Sequence, residues 1–143
     1  MKRKTISWKD DFPIHQEVED FSGRQRSFVI ECHEGPLGFT ARASKDGKQR
    51  LGYEFACYSE TSPYAALGRV RDKMARGLAT RHLSSAKGPN KMLHDTLEGR
   101  ITSKDGDVAL VVDGVALDIA DIERFFTARE GRGFELRITD PLE

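Results

Sequence analysis

The chain has 143 residues, 38% of them hydrophobic and 32% charged, and its 23 Lys and Arg balance its 23 Asp and Glu. Leu, Ile, Val and Phe make up about 23% of it, just above the roughly 20% below which disorder becomes the better expectation, so a thin but adequate core is expected. That core serves one compact domain or two small lobes. The balance of charge excludes an overall field that draws the molecule to nucleic acid, membrane or an acidic substrate, and any steering must come from local patches.

No run approaches the roughly 18 apolar residues of a membrane span, and the basic start MKRKTISWKDD leads into no apolar segment. Two cysteines, Cys32 and Cys57, allow one disulfide at most, far from the framework of a small secreted domain. A cytoplasmic protein without membrane association is expected.

Residues 1–13 read as an arm that orders only at Ile6, Trp8 and Phe12. Ile14 to Phe21 is a weak strand, and Ser22-Gly23 turns it into Ser27 to His33, where Phe28, Ile30 and Cys32 alternate with Val29, Glu31 and His33. After the break at Glu34-Gly35-Pro36, the alternation of Leu37, Phe39, Ala41 and Ala43 predicts a third strand. A charged loop centred on Asp46-Gly47 leads to a fourth strand, Gly52 to Ser59. Ser62-Pro63 then pairs an N-cap with proline at the first helical position. A basic helix of about 20 residues, 63–83, follows, with Leu67, Val70, Met74 and Leu78 on its apolar stripe. Gly77 in that helix lets another backbone approach.

Ser84 to Asn90 has the composition of a linker, and residues 84–94 are read as separating a 14–83 lobe from a 95–143 lobe. In the second lobe Leu97, Gly99 and Ile101 alternate with polar residues, Lys104 to Asp107 is a turn, and Val108 to Val112 is continuously apolar. Asp113-Gly114 is the strongest hairpin signal in the chain, a type I′ turn. Asp118 caps a short helix whose inward stripe is Ile119, Ile122 and Phe126, with Phe125 at its margin, and Gly131 ends it. Phe134, Leu136 and Ile138 predict a final strand. The fold class is therefore α+β: an antiparallel sheet with one long helix, ββββα, followed by a smaller βββαβ lobe.

Chemistry finds little support in these spacings. Cys32, His33, Cys57, His82 and His94 are metal-ligand types, but neither a C-x₂₋₄-C nor an H-x₃₋₅-H pair occurs. Both cysteines share apolar strand faces and read as small buried hydrophobes. No nucleophile elbow is present, and His82 reads as a cation favoured by the helix C-terminus. EGPLG at 34–38 and EGRG at 130–133 lack the spacing of a phosphate loop, so no cofactor and no metal are expected and the chain is read as non-enzymatic.

Charge is segregated instead. Between Arg69 and Lys91 stand Arg69, Arg71, Lys73, Arg76, Arg81, Lys87 and Lys91 against Asp72 alone. Arg69, Lys73 and Arg76 share one helical face at i, i+4 and i+7. From Asp105 to Glu143 the sign reverses, with ten acids against Arg124, Arg129, Arg132 and Arg137. A dipolar molecule of this kind offers complementary patches to a charged partner. The expectation is a binding or adaptor protein that recognises another macromolecule, a protein partner first. Arg69, Lys73, Arg76, Lys87 and Lys91 supply charge, and Trp8, Tyr58 and Tyr64 serve as aromatic anchors. The alternatives are RNA or DNA binding through helix 63–83, or inhibition of a nucleic-acid enzyme by the acidic lobe. A homodimer is also expected, because a thin core and apolar strand edges find closure that way.

The segment GYEFACYSETSPYAALGRVRDKMARGLATRHL and the closing stretches LEGRIT, LVVDG and DIERFFTAREGRGFELRI resemble small bacterial proteins grouped as an uncharacterised domain family. In those relatives a turn like VVDG precedes a short helix and an EGxxFxLxI strand. The resemblance covers about two thirds of the chain and brings no catalytic residue. It implies a cytoplasmic bacterial or mobile-element protein of α+β type.

Overall fold

The computed structural model describes residues 7–45, 51–84 and 88–143. The expectations for Ile6, for the Asp46-Gly47 loop and for Lys87 lie outside the described residues.

The N-terminal segment is held down by aromatic packing. Ser7 caps a 3-10 turn, Trp8–Asp11, and Trp8 stands edge-on to Phe12 and to Phe39, with ring centroids 6.0 and 5.6 Å apart. Four strands follow as an antiparallel meander in chain order: β1 (Ile14–Glu19), β2 (Gln25–Gly35), β3 (Gly38–Ser44) and β4 (Glu54–Ser59). The period-2 pattern puts Phe28, Ile30 and Cys32 on one face of β2, and the register sets Ile30 opposite Ala43 and Cys32 opposite Ala41. Leu37, expected in β3, lies instead in the turn before it and is 82% exposed. A two-residue connection between the paired Gly35 and Gly38 leaves it no ladder position.

Helix α1 (Pro63–Ala79) starts where the cap signal places it, with Ser62 Oγ accepting from the Ala65 amide at 2.9 Å. Leu67, Val70, Met74 and Leu78 are all buried and close a core with Phe28, Ile30, Ala41, Ala43, Cys57 and Ala66. The helix is shorter than expected. Thr80 is already extended, because the Asp113 carboxylate takes the amides of His82 and Leu83 at 2.8 and 2.7 Å and draws the chain off the helical path. Gly77 is needed for close packing: a Cβ there meets the Phe55 ring at 2.6 Å.

The second lobe opens with a two-residue ladder, β5 (Leu83–Ser84) against β6 (Lys91–Met92). The linker-like composition gives no hint of it. A three-stranded antiparallel sheet follows, β7 (Arg100–Lys104), β8 (Asp107–Val112) and β9 (Val115–Leu117). Its two turns are alike: Asp105-Gly106 with φ of 53° and 86°, and Asp113-Gly114 with φ of 53° and 75°. Positive φ at both central residues is the type I′ signature, and the right-handed twist of the strands favours it. Helix α2 (Ile119–Thr127) begins with a reciprocal capping box between Asp118 and Asp121.

Two expectations fail in this lobe. The residue α2 buries is Phe125, packed with Leu83, Val112 and Leu117, whereas Ile119 and Phe126 are 55% and 66% exposed. A helix of nine residues buries one side chain against the small sheet, and of the expected stripe Ile122 is half-buried while Ile119 and Phe126 face outward. The final strand also finds no ladder: residues 132–140 form no helix and pair with no described strand. Gly131 takes φ 87° and redirects the chain, the Arg132 guanidinium clamps Asp95 through two bonds of 3.0 and 2.9 Å, and the far end returns to β4, where the Tyr58 amide donates to the Leu142 carbonyl at 3.1 Å. Held at both ends in this way, the segment joins neither edge of the small sheet.

Candidate functional site

The i, i+4, i+7 spacing brings Arg69, Lys73 and Arg76 together along α1, above the open edge of β4. Edge strands present unpaired carbonyls, and here two of the cations cap them. Arg69 Nη1 donates to the Tyr58 carbonyl at 3.0 Å, and Lys73 Nζ donates to those of Ala56 and Pro141 at 2.8 and 2.9 Å. Arg76 Nε reaches only the Asp72 carbonyl one turn back, at 3.4 Å. Among the described residues no carboxylate forms an ion pair with any of the three. Their hydrogen bonds are spent on neutral acceptors, so the positive charge of this face is not cancelled.

The other predicted contacts are dispersed. Lys91 sits on β6, beside a groove of about 850 Å3 between residues 89–92 and α2 that Met92, Glu123, Arg124 and Phe125 also line. Trp8 is half-buried against Phe39. The Tyr58 hydroxyl donates to the Leu37 carbonyl. Tyr64 is 52% exposed and donates to Asp11 Oδ2 at 2.5 Å, a bond that, with some burial, raises the phenol above its ordinary ionisation range.

Within the acidic lobe several carboxylates are engaged. Asp95 holds both Arg129 and Arg132, whose hydrogen bonds and charge keep it below the usual carboxylate range. Asp121 serves the capping box and pairs with Arg124 at 2.6 Å. Asp105, Asp107, Glu123, Glu130 and Glu135 are exposed and enter none of these pairs.

A polar junction that the sequence reading missed joins the two halves. Asp113, with its side chain 5% exposed, accepts from the His82 and Leu83 amides and lies 3.1 Å from His82 Nδ1. Tyr53 packs nearby. A Cβ on Gly114 meets the Tyr53 ring at 2.6 Å, and burial first, then the Asp113 charge, pushes the phenol up to about 12. Arg26 lies over the same ring, 5.6 Å from its centroid, and pairs with buried Asp20 at 2.9 Å. Bonds from Ser22, Arg26 and Arg24 outweigh burial and hold Asp20 well below the ordinary carboxylate range. His82 and Asp113 are 31 residues apart, so no local spacing announces them. Chemically, the junction positions chain segments: among the described residues no hydroxyl or thiol is hydrogen-bonded to the His82 ring, and no group of three or more His, Cys, Asp and Glu is arranged to hold a metal ion. Cys32 and Cys57 are buried and free, separated by the strand that carries Ala41.

These features define a two-lobed α+β protein with a basic helix above a sheet edge. Among the described residues no helix is long and apolar enough to cross a membrane. Two family models match parts of the chain: the one described as Domain of unknown function (DUF7686) matches residues 10–79, and Domain of unknown function (DUF7713) matches residues 82–143. Neither a curated protein nor a solved structure matches it.

Proposed function

We propose that this chain is a non-enzymatic binding protein that recognises another macromolecule, an acidic protein surface first, through the basic face of α1. The observation that supports this reading is that Arg69, Lys73 and Arg76 bond to backbone carbonyls and, among the described residues, pair with no carboxylate. A carbonyl satisfies a donor without neutralising its charge, so three cations over two turns remain available to an acidic surface. Both cysteines are free, which suits a reducing compartment.

The test is binding of poly-glutamate, a stand-in for an acidic protein surface. Affinity falls steeply between about 50 and 200 mM salt. It drops at least tenfold in the double variant Arg69→Glu, Arg76→Glu, which spares the Lys73 bonds to Ala56 and Pro141. No binding at low salt contradicts the reading. The same spacing suits a phosphate backbone, so a salt-dependent mobility shift of duplex DNA or RNA by this chain, lost in the double variant, favours nucleic-acid recognition instead.

A further inference from the structure

Residues 133–139 combine four properties that rarely occur together. They belong to no helix and are exposed. Their chain is fixed at both ends, by Arg132 on Asp95 before the segment and by Pro141 and Leu142 on Lys73 and β4 after it. Among the described residues, none of their backbone groups is paired. Their apolar side chains Phe134, Leu136 and Ile138, exposed at 90, 80 and 70%, alternate in sequence with Glu135 and Arg137, the period that puts them on one face of a strand. An unpaired strand with an apolar face is a template for another strand, and anchoring at both ends removes much of the entropy cost of ordering it.

The sequence of the segment says which strand fits. In an antiparallel pair centred on Leu136, Leu136 faces itself, Phe134 faces Ile138 of the second copy, and Glu135 faces Arg137 of the second copy. Gly133 falls opposite Thr139. Every position then meets an apolar, oppositely charged or small neighbour, and cross-strand pairs of these kinds are what stabilise a ladder. We propose that residues 133–139 form an antiparallel two-stranded junction with the same residues of a second copy of this chain, about a two-fold axis through Leu136. Such an interface is isologous and closes at two copies. The six apolar side chains put on the order of 1,000 Å2 of surface on one side of the ribbon, the size at which a specific interface becomes stable. A two-stranded ribbon is marginal alone. In the proposed dimer that side closes on apolar ground of the same lobe, where Ile119 and Phe126 are exposed on α2.

The test is the mass of the intact chain by light scattering during chromatography, from about 1 to 100 μM, the range over which a weak to moderate dimer forms. The chain is dimeric at the upper end. Glu135→Arg sets like charges opposite one another at both symmetric positions and weakens the dimer at least tenfold, as does Arg137→Glu. The double variant Glu135→Arg, Arg137→Glu restores the complementary pairs and recovers the dimer, which a fold defect does not do. In Leu136→Cys the two thiols face each other within the Cα separation a disulfide requires. The variant then cross-links as a covalent dimer under mild oxidation. A monomer throughout the range, a dimer indifferent to the single charge reversals, or a double variant no better than the singles overturns the proposal.

Discussion

The two lobes handle the same problem in opposite ways. The first spreads a four-stranded sheet beneath a helix of 17 residues, and its core, from Phe28 on β2 to Leu78 on α1, excludes solvent almost completely. The second has a three-stranded sheet and a helix of nine residues, and its buried cluster is Leu83, Val112, Leu117 and Phe125. Ile119, Phe126, Phe134, Leu136 and Ile138 all lie in the second lobe and are more than half exposed. Small units bury a smaller fraction of their surface, but size alone does not account for an alternating apolar strand left outside. The difference teaches that the first lobe buries most of its apolar residues within one chain, whereas the second leaves an alternating apolar segment exposed, the feature on which the proposed junction rests.

The sharpest way to break this comparison is to truncate an apolar side chain in each lobe. Met74→Ala or Ile30→Ala removes a fully buried side chain and costs about 2–5 kcal/mol in chemical denaturation, transfer and cavity terms together. Phe134→Ala, measured in dilute solution, stays within about 0.5 kcal/mol of the parent. Equal losses would mean that the C-terminal strand is packed within its own chain.

The junction between the lobes comes next. Asp113→Ala strands the amides of His82 and Leu83 and removes the partner of the His82 ring, so a loss of about 3 kcal/mol is expected in thermal or urea unfolding. Asp113→Asn keeps one acceptor oxygen and loses less. Gly77→Ala has a smaller net effect. The helix gains about 1 kcal/mol of propensity, but the new Cβ stands 2.6 Å from the Phe55 ring, and the overpacking turns the balance into a loss of about 1 kcal/mol. A stability gain would show that the Phe55 ring yields.

The smallest expected effect concerns acid. Asp20 ionises more readily folded than unfolded, so its stabilisation is complete above the ordinary carboxylate value of 3.8. It is lost as pH falls below that value toward the lowered folded one. Asp20→Asn flattens that limb of a stability-versus-pH curve and leaves the neutral-to-alkaline limb unchanged. An unchanged acid limb would remove Asp20 from the first lobe's stability.

Much of the first lobe was legible because its signals are local and mutually consistent. Phe28, Ile30 and Cys32 alternate on β2, Ser62-Pro63 marks the helix start, and Leu67, Val70, Met74 and Leu78 give its stripe at the correct phase. Asp113-Gly114 was legible as a turn for the same reason, since its positive φ values follow from residue type. The second function of Asp113 was not. Holding His82 and Leu83 is a contact across 30 and 31 residues, and nothing in the turn distinguishes an aspartate that also binds elsewhere. The end of α1 was misplaced because that same contact, and no residue of the helix itself, stops it. The stripe on α2 and the strand at Phe134 to Ile138 were visible as patterns, but a pattern states which face seeks cover and not where cover lies. For the basic face, the spacing of Arg69, Lys73 and Arg76 was legible, while the Tyr58 and Ala56 carbonyls that Arg69 and Lys73 meet depend on which strand forms the sheet edge.

Hydrogen exchange at the backbone amides of 133–139, followed across protein concentration, tests most directly whether a strand stands open in a chain that elsewhere closes on itself. The expected result is fast exchange in dilute solution and protection of alternate amides as concentration rises, with β2 protected throughout. Protection of 133–139 that is independent of concentration, or fast exchange at every concentration, would contradict it.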